Sequence, residues 1–290
     1  MKPAAFDYIA PNSLEAAAEA IAAANGDGKI LAGGQSLMPL LNFRMARPSV
    51  IVDLMHIPDM SFIERRGDTV AIGALTRHVD LEFSDLIAQK LPVMAAAMPH
   101  VAHLAIRNKG TIGGSLSHAD PAAELPMLAV FYGATIKVQG ISGRRDILAE
   151  DFFVSALTNC LDPDEIVFEI GFPVLTSHAG WAFEEVARRF GDFALASIAV
   201  SLEILDNRIV DARVAVMGVA DTPRRLRQAE DALRGEGEPK TAAKFGKIVR
   251  ACVSPESDIH VSAEYRKNLI GALAERAFTT AWTRAVGAKP

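Results

Sequence analysis

The 290-residue chain has few cysteines: only Cys160 and Cys252 occur. Two thiols are too few for a disulfide-stapled scaffold and are typical of a reducing compartment. They are also too few for an iron–sulfur cluster, which in its usual form takes four thiolates. Any such cluster that works with this chain would have to lie on another polypeptide.

Long apolar runs and an excess of positive charge are missing too. No stretch approaches the roughly 18 uninterrupted apolar residues of a membrane span, and the acidic Asp7 comes too early for a secretory signal. We therefore expect no membrane span and a cytoplasmic protein. The net charge of -5, with only short basic clusters, gives no indication of nucleic-acid binding.

Several common site motifs are absent as well. The chain contains no Gly-x-Gly-x-x-Gly for a Rossmann NAD site and no Gly-x-x-x-x-Gly-Lys-Ser/Thr for a P-loop. Residues Gly113–Ser117 begin like a nucleophile elbow but lack its last glycine. The histidines do not form a metal-ligand pattern. The sequence accordingly predicts neither a metal site nor a catalytic side chain.

What the chain has instead is two paired-glycine segments about eighty residues apart, Ala32-Gly33-Gly34-Gln35-Ser36 and Thr111-Ile112-Gly113-Gly114-Ser115. Paired glycines let a backbone turn sharply or approach another group closely. Successive free N–H groups in such a turn suit a phosphate. Each segment ends in a hydroxyl residue, and Ser36 can also cap the short helix behind it. Our hypothesis is a dinucleotide whose diphosphate is held from both sides.

Two acidic residues, Asp120 and Glu124, follow the second glycine segment. A carboxylate there could accept hydrogen bonds from ribose or ribityl hydroxyls. It could equally be a helix N-terminal acid that the helix dipole stabilises. Composition and spacing leave both interpretations open.

The predicted elements indicate a mixed α+β chain. The first sixty residues are expected to form a strand–helix–strand–turn–strand lobe, followed by a hairpin at Phe62–Ile72. Thr76 is expected to cap a helix through Phe83, and Pro92 to begin a helix that runs to about His103. After a boundary at Pro173–Ser177 we expect an antiparallel meander, then helices, the last from Ser262 to about Thr283.

The glycine segments and their neighbours resemble a known family. Leu31–Pro39, Asn42–Pro48 and Arg107–Ser115 are similar to the FAD-binding medium subunits of molybdenum hydroxylases, which include carbon monoxide dehydrogenase medium chains and the FAD domain of xanthine dehydrogenase. The resemblance implies a two-lobed FAD-binding domain of the vanillyl-alcohol-oxidase (PCMH) type over residues 1–175, with lobes of about 1–58 and 59–175. A C-terminal antiparallel sheet-and-helix domain would occupy residues 176–290.

The resemblance also implies cofactor-binding residues. Both glycine segments would hold the FAD diphosphate, Glu124 would meet the polar chain of the flavin, and Val167 would lie against a cofactor ring. Asp120 is kept as a candidate because of its position beside Glu124 after the second glycine segment. The stretch Arg189–Ala194 would lie near the isoalloxazine through Asp192 and Phe193. Relatives often carry tyrosine or tryptophan at the position of Phe193, so this chain lacks that donor but keeps the aromatic ring. Glu184 stands where the xanthine dehydrogenase branch has a lysine, and that contact is not carried over.

By the same resemblance, the chain is the FAD-carrying electron-transfer subunit of a heteromeric oxidoreductase. A large subunit with a molybdenum cofactor would oxidise the substrate, and a small subunit with two-iron two-sulfur clusters would deliver electrons. This subunit would pass them to a terminal acceptor within a dimer of heterotrimers. The alternatives are a stand-alone FAD-dependent oxidoreductase of the same fold and a scaffold with a vestigial nucleotide pocket.

Overall fold

The N-terminal lobe is a small parallel sheet with helices around it. The computed structural model describes residues 2–237 and 240–287. The elements of this lobe are β1 (Asp7–Ile9), α1 (Leu14–Ala23), β2 (Gly28–Leu31), α2 (Leu37–Asn42) and β3 (Val50–Asp53), with strand order β1-β3-β2. Ser13 caps α1 by accepting a hydrogen bond from Ala16 N at 3.1 Å. The predicted order of elements is confirmed here.

The middle lobe is a five-stranded antiparallel sheet covered by short helices. Its first elements are β4 (Ile63–Arg66), β5 (Thr69–Gly73), α3 (His78–Glu82), α4 (Asp85–Lys90), α5 (Pro92–Ala97), α6 (Leu104–Arg107), α7 (Ile112–His118) and α8 (Glu124–Tyr132). The remaining ones are β6 (Thr135–Gly140), β7 (Gly143–Leu148), α9 (Ala149–Phe152), β8 (Phe153–Ser155), β9 (Thr158–Asn159) and β10 (Ile166–Pro173). The strand order is β4-β5-β10-β6-β7, and every residue of α8 is buried in the core beside this sheet.

Two helix predictions in this lobe are wrong. Thr76 does not cap α3, because its hydroxyl is bound to the backbone of Phe62, from which it accepts at 3.1 Å and to which it donates at 3.0 Å. The expected helix from Pro92 to His103 is shorter: α5 ends at Ala97, and a 3-10 turn follows at Met98–His100. Pro99 explains this end, since proline has no N–H to continue the ladder.

The C-terminal part is a four-stranded antiparallel sheet with helices packed on one face. Its elements are β11 (Gly180–Ala187), β12 (Ala194–Leu205), β13 (Arg208–Met217), β14 (Arg224–Arg225), α10 (Arg227–Leu233), α11 (Lys240–Cys252) and α12 (Ala263–Gly287), in strand order β11-β12-β13-β14. The predicted turn at Asp206-Asn207 is confirmed, with both residues at positive φ. The predicted last helix is confirmed as α12. Among the described residues, no helix has the length and apolarity that a membrane crossing requires.

The central strand β12 contributes to two hydrophobic cores. Ala199 belongs to the core of the first two lobes, whereas Ile198 and Val200 belong to the core between the sheet and α12. This alternation follows from strand geometry, since successive side chains point to opposite faces. The middle lobe and the C-terminal sheet are therefore packed against each other along one face of β12.

Candidate functional site

The first glycine segment lies between β2 and α2, and its backbone donors are unused. The N–H groups of Gly33, Gly34, Gln35 and Ser36 donate no hydrogen bond to any described residue. Gly34 has a φ of +71°, which glycine adopts without strain. The expected capping role of Ser36 is wrong, because its side chain makes no cap hydrogen bond with α2. Four successive free N–H groups form a donor surface of the kind that binds a phosphate.

The second glycine segment is the first turn of α7 rather than an open turn. Thr111 is the N-cap of this helix. The amide groups of residues 112–115 donate, in order, to Thr76 O, Ala74 O, Thr111 Oγ1 and Thr111 O at 2.9–3.2 Å. The expectation of a second row of free N–H groups is therefore wrong. The hydroxyl group of Ser115 has no hydrogen-bond partner among the described residues, so this segment can still offer one side-chain donor to a diphosphate.

The fold brings the two glycine segments into contact. A Cβ atom on Gly33 would overlap the carbonyl oxygen of Lys109 and lie 2.8 Å from Cα of Gly110. A Cβ atom on Gly114 would lie 3.9 Å from Cβ of Ala32. Only glycine at position 33 allows the two backbones to approach this closely. The free N–H groups of the first segment thus lie directly beside the second, as the hypothesis of a diphosphate held between them requires.

A buried histidine, His78, packs against the backbone that leads into the second glycine segment. His78 is 6% exposed, and its backbone N–H donates to Gly110 O at 3.0 Å. Both ring nitrogens lack a hydrogen-bond partner among residues 2–237 and 240–287. Burial lowers the pKa of His78 to about 4, so the ring is neutral at pH 7. His78 therefore contributes packing but no positive charge to the predicted phosphate site.

Asp120 and Glu124 lie on the path from α7 to α8, with different surroundings. Asp120 accepts a hydrogen bond from Ala122 N at 2.9 Å, a local turn contact. Glu124 is the first residue of α8 and is 7% exposed. Burial, followed by the nearby carboxylate of Glu185 on β11, raises the pKa of Glu124 to about 8. The carboxyl group of Glu124 is therefore mostly protonated at pH 7, and its contact with a flavin chain stays a prediction.

We expect Glu124 to make the protein less stable as the pH rises. A carboxyl whose pKa is higher in the folded than in the unfolded state contributes stability below the unfolded value of 4.5, and that contribution is lost as the pH rises through about 8. For one proton, the free energy of unfolding falls by at most about 1.4 kcal/mol per pH unit over this range. Glu124→Gln should reduce the pH dependence of the free energy of unfolding, measured by urea denaturation from pH 5 to 8. Glu256→Gln, at an exposed loop position, serves as the control and should keep the wild-type dependence. An unchanged slope in Glu124→Gln would show that this carboxyl does not titrate abnormally.

The three remaining predicted residues lie in two places. Val167 is on β10, 5% exposed, and packs in the core, where the neighbouring Phe168 O accepts from Ala74 N at 2.9 Å. Asp192 and Phe193 lie together on the loop between β11 and β12, and the ring of Phe193 is exposed. Val167 is thus close to the backbone that holds the second glycine segment, whereas Asp192 and Phe193 lie at the C-terminal sheet.

The loop of Asp192 and Phe193 is packed on the middle lobe through Gly191. A Cβ atom on Gly191 would overlap the ring of His103 and lie 3.1 Å from the carbonyl carbon of Ala102. The middle-lobe backbone beside Gly191 is held by the buried side chain of Arg107, whose Nη1 donates to Val101 O and Ala102 O at 3.0 Å each. The predicted isoalloxazine segment therefore lies against a part of the middle lobe that is hydrogen-bonded to Arg107.

Sequence reasoning missed three buried polar residues around this site: His78, Arg107 and Glu185. The side chain of Glu185 is 2% exposed, with Oε1 3.5 Å from His100 Nδ1. Arg107 forms a bidentate pair with Glu82, at 2.7 and 3.2 Å. The partners are distant in sequence, so no local pattern reveals them. Arg107 does stand at the start of the third segment that carries the family resemblance.

The chain matches two known protein families over most of its length. Residues 4–175 match the family described as the FAD binding domain in molybdopterin dehydrogenase, and residues 181–281 match the CO dehydrogenase flavoprotein C-terminal domain. The chain is 41% identical to the nicotine 6-hydroxylase medium subunit of Paenarthrobacter nicotinovorans, over 98% of this chain and 100% of the relative. It is 40% identical to the caffeine dehydrogenase subunit beta of Pseudomonas sp. strain CBB1, over 99% of this chain and 98% of the relative.

Solved structures give the same result. Carbon monoxide dehydrogenase from Hydrogenophaga pseudoflava superposes with a TM-score of 0.95 at 34% identity, covering 98% of this chain and 99% of that one. Quinoline 2-oxidoreductase from Pseudomonas putida 86 gives a TM-score of 0.94 at 36% identity, with the same coverages. The expected α+β fold is thereby confirmed. The chain belongs to the family of FAD-binding medium subunits of molybdenum hydroxylases.

Proposed function

We propose that this subunit binds FAD with its diphosphate between Ala32–Ser36 and Thr111–Ser115 and that it relays electrons to a terminal acceptor. The observation that carries the proposal is the row of four free N–H groups at Gly33–Ser36 beside the second glycine segment. Bound FAD would supply the redox chemistry, because flavins exchange electrons in single or paired steps. The chain itself would supply amide donors to the diphosphate and a fixed ring position at Asp192 and Phe193.

The electrons would reach this subunit from another chain. Its two cysteines cannot supply the four thiolates of a usual iron–sulfur cluster. The names of its relatives describe medium, alpha and beta subunits of larger enzymes. A small subunit with two-iron two-sulfur clusters and a large molybdenum subunit are the proposed partners, in a dimer of heterotrimers in the cytoplasm. A tagged chain purified from its host should carry iron and molybdenum with it, whereas a lone chain with full turnover would favour the stand-alone oxidoreductase.

The proposed domain boundary follows the matched families. One match ends at residue 175 and the next begins at residue 181, which supports a division into 1–175 and 176–290. Val174 still belongs to the middle lobe, since its N–H donates to Asp68 O at 3.0 Å. The segment between β10 and β11 would thus link the FAD-binding part to the C-terminal part.

The flavin is expected to be bound without a covalent link. Neither glycine segment contains a histidine or cysteine that could attach to the isoalloxazine. Precipitating the purified protein with acid should therefore release the yellow colour into the supernatant. Flavin that stays in the washed pellet would contradict this prediction, and a protein that is colourless before precipitation would contradict FAD binding itself.

A further inference from the structure

Arg77 places a guanidinium group beside the first glycine segment. It precedes α3 in the middle lobe, and its Nη1 donates to Lys109 O. A Cβ atom on Gly33 would overlap this same carbonyl oxygen. The guanidinium group and the start of the row of free N–H groups at Gly33–Ser36 therefore lie against one atom.

The same side chain reaches the N-terminal lobe. Its Nη2 lies 3.3 Å from the sulfur atom of Met55, in the turn that follows β3. Strand β3 pairs in parallel with β2, so that Asp53 is opposite Leu31, and β2 leads directly into the first glycine segment. In open α/β sheets, ligands bind outside the carboxyl ends of the strands. Arg77 thus lies at the edge of the sheet where the free N–H groups are located.

The charge of Arg77 has no carboxylate partner in the described part of the chain. Asp80 accepts from the backbone N–H of Arg77 at 3.3 Å, not from its guanidinium. Both oxygens of Asp53 are bound, by the hydroxyl of Tyr8 at 2.6 Å and by the N–H of Met55 at 2.9 Å. Of the five N–H donors of a guanidinium, two are used, so three remain for an anion.

A diphosphate is strongly anionic, and the other groups of the site supply it with no free positive charge. The row of N–H groups and the Ser115 hydroxyl offer only dipoles. His78 is neutral at pH 7, and Arg107 is already paired with Glu82. A hydrogen bond from arginine to phosphate is roughly twice as strong as one between neutral groups. Arg77 can therefore supply the charge that the amide donors lack.

We infer that Arg77 is the counter-ion of the FAD diphosphate. Its unused N–H groups would donate to a phosphate oxygen, while Met55 and Lys109 O hold the guanidinium in place from the two lobes. The inference rests on the proposed function, which places the diphosphate between the glycine segments. The ammonium group of Lys109 is the other cation of this stretch, but its side chain is exposed, so its charge is screened by water and salt.

The affinity for FAD tests this role without turnover. The complex, freed of its FAD, is titrated with FAD at about 50 and about 500 mM sodium chloride, and binding is followed by the change in flavin fluorescence. At the lower salt concentration Arg77→Gln should raise the Kd at least about tenfold, the size expected from loss of one hydrogen bond to a charged group. The difference from the wild type should shrink at the higher concentration, because salt screens the lost charge.

Three further variants separate charge from packing. Arg77→Lys keeps the charge but not the planar guanidinium, and should bind FAD more tightly than Arg77→Gln, with the salt dependence of the wild type. Arg65, on the edge strand β4, is the matched control, since its Nε donates to Gly67 O at 3.0 Å and no described carboxylate pairs with it. Arg65→Gln should keep the wild-type Kd at both salt concentrations. Lys109→Gln should weaken binding less than Arg77→Gln does.

The outcomes distinguish this inference from the proposed function. If Gly33→Val weakens FAD binding but Arg77→Gln does not, Arg77 is not the counter-ion and the site between the glycine segments stands. If Arg77→Lys is as weak as Arg77→Gln and both keep the wild-type salt dependence, Arg77 only holds the two lobes together, and its charge role is refuted. An equal loss in Arg65→Gln, or a larger one in Lys109→Gln, would also overturn the inference. If the wild-type complex binds no FAD on this subunit, the proposed function itself is wrong.

Discussion

Gly33→Val is expected to reduce FAD retention sharply. The new Cβ would overlap the carbonyl oxygen of Lys109 and come within 2.8 Å of Gly110 Cα, and neither backbone atom can move cheaply. Overpacking of this kind typically costs 1–3 kcal/mol, and it would separate the two glycine segments that hold the diphosphate. We expect FAD affinity to fall by at least about tenfold, measured as flavin absorbance per chain after gel filtration.

A glycine in open space provides the control for this substitution. Gly287, at the end of α12, has nothing within 4 Å of its Cβ position. Gly287→Val should therefore keep the wild-type flavin content. Circular dichroism of both variants checks that the fold survives. Wild-type FAD content in Gly33→Val would mean that the diphosphate is bound elsewhere.

Arg107→Leu is expected to destabilise the middle lobe by about 3–5 kcal/mol, the usual cost of removing one partner of a buried ion pair. The side chain of Arg107 is 7% exposed and that of its partner Glu82 is 13% exposed. The substitution leaves the Glu82 carboxylate without its cation, and the carbonyl groups of Val101 and Ala102 without their donor. Urea unfolding followed by fluorescence should show a lower midpoint with an unchanged m-value.

Two further variants make this prediction specific. Arg250→Leu removes a surface pair, in which the side chains of Arg250 and Glu264 are 49% and 66% exposed, and should cost less than about 1 kcal/mol. Adding Glu82→Leu to Arg107→Leu should restore part of the lost stability, because no unpaired buried charge remains. If Arg107→Leu is no worse than Arg250→Leu, the ion pair does not stabilise the fold.

Local patterns in the sequence predicted the elements that depend on neighbouring residues. The N-terminal lobe, the turn at Asp206-Asn207 and the long last helix follow from capping, turn chemistry and apolar periodicity. The contact between the glycine segments was inferred from their pairing and hydroxyl endings, since a single diphosphate needs both. Each of these elements depends on residues within about twenty positions of one another in the sequence. The contact between the glycine segments follows from the single hypothesis that one diphosphate binds to both.

The errors occur where a distant partner decides the outcome. Thr76 looks like a helix cap, but the backbone of Phe62, fourteen residues away, takes its hydroxyl. In the second glycine segment, the amides of Ile112 and Gly113 are occupied because the distant carbonyl groups of Thr76 and Ala74 accept from them, whereas those of Gly114 and Ser115 donate locally to Thr111. Glu124 acquires its raised pKa from burial and from Glu185, which belongs to the opposite sheet. None of these contacts leaves a periodic or compositional signal in the sequence.

The shared strand β12 limits how the two halves of this subunit can be separated. Ala199 and Met217 of the C-terminal sheet complete the same core that contains Leu128 and Phe131 of α8. A fragment cut after residue 175 would lose this cover and present an apolar surface to water. The FAD-binding half and the C-terminal half thus share one hydrophobic core, so any evolutionary exchange of either half must preserve the residues on that face of the strand.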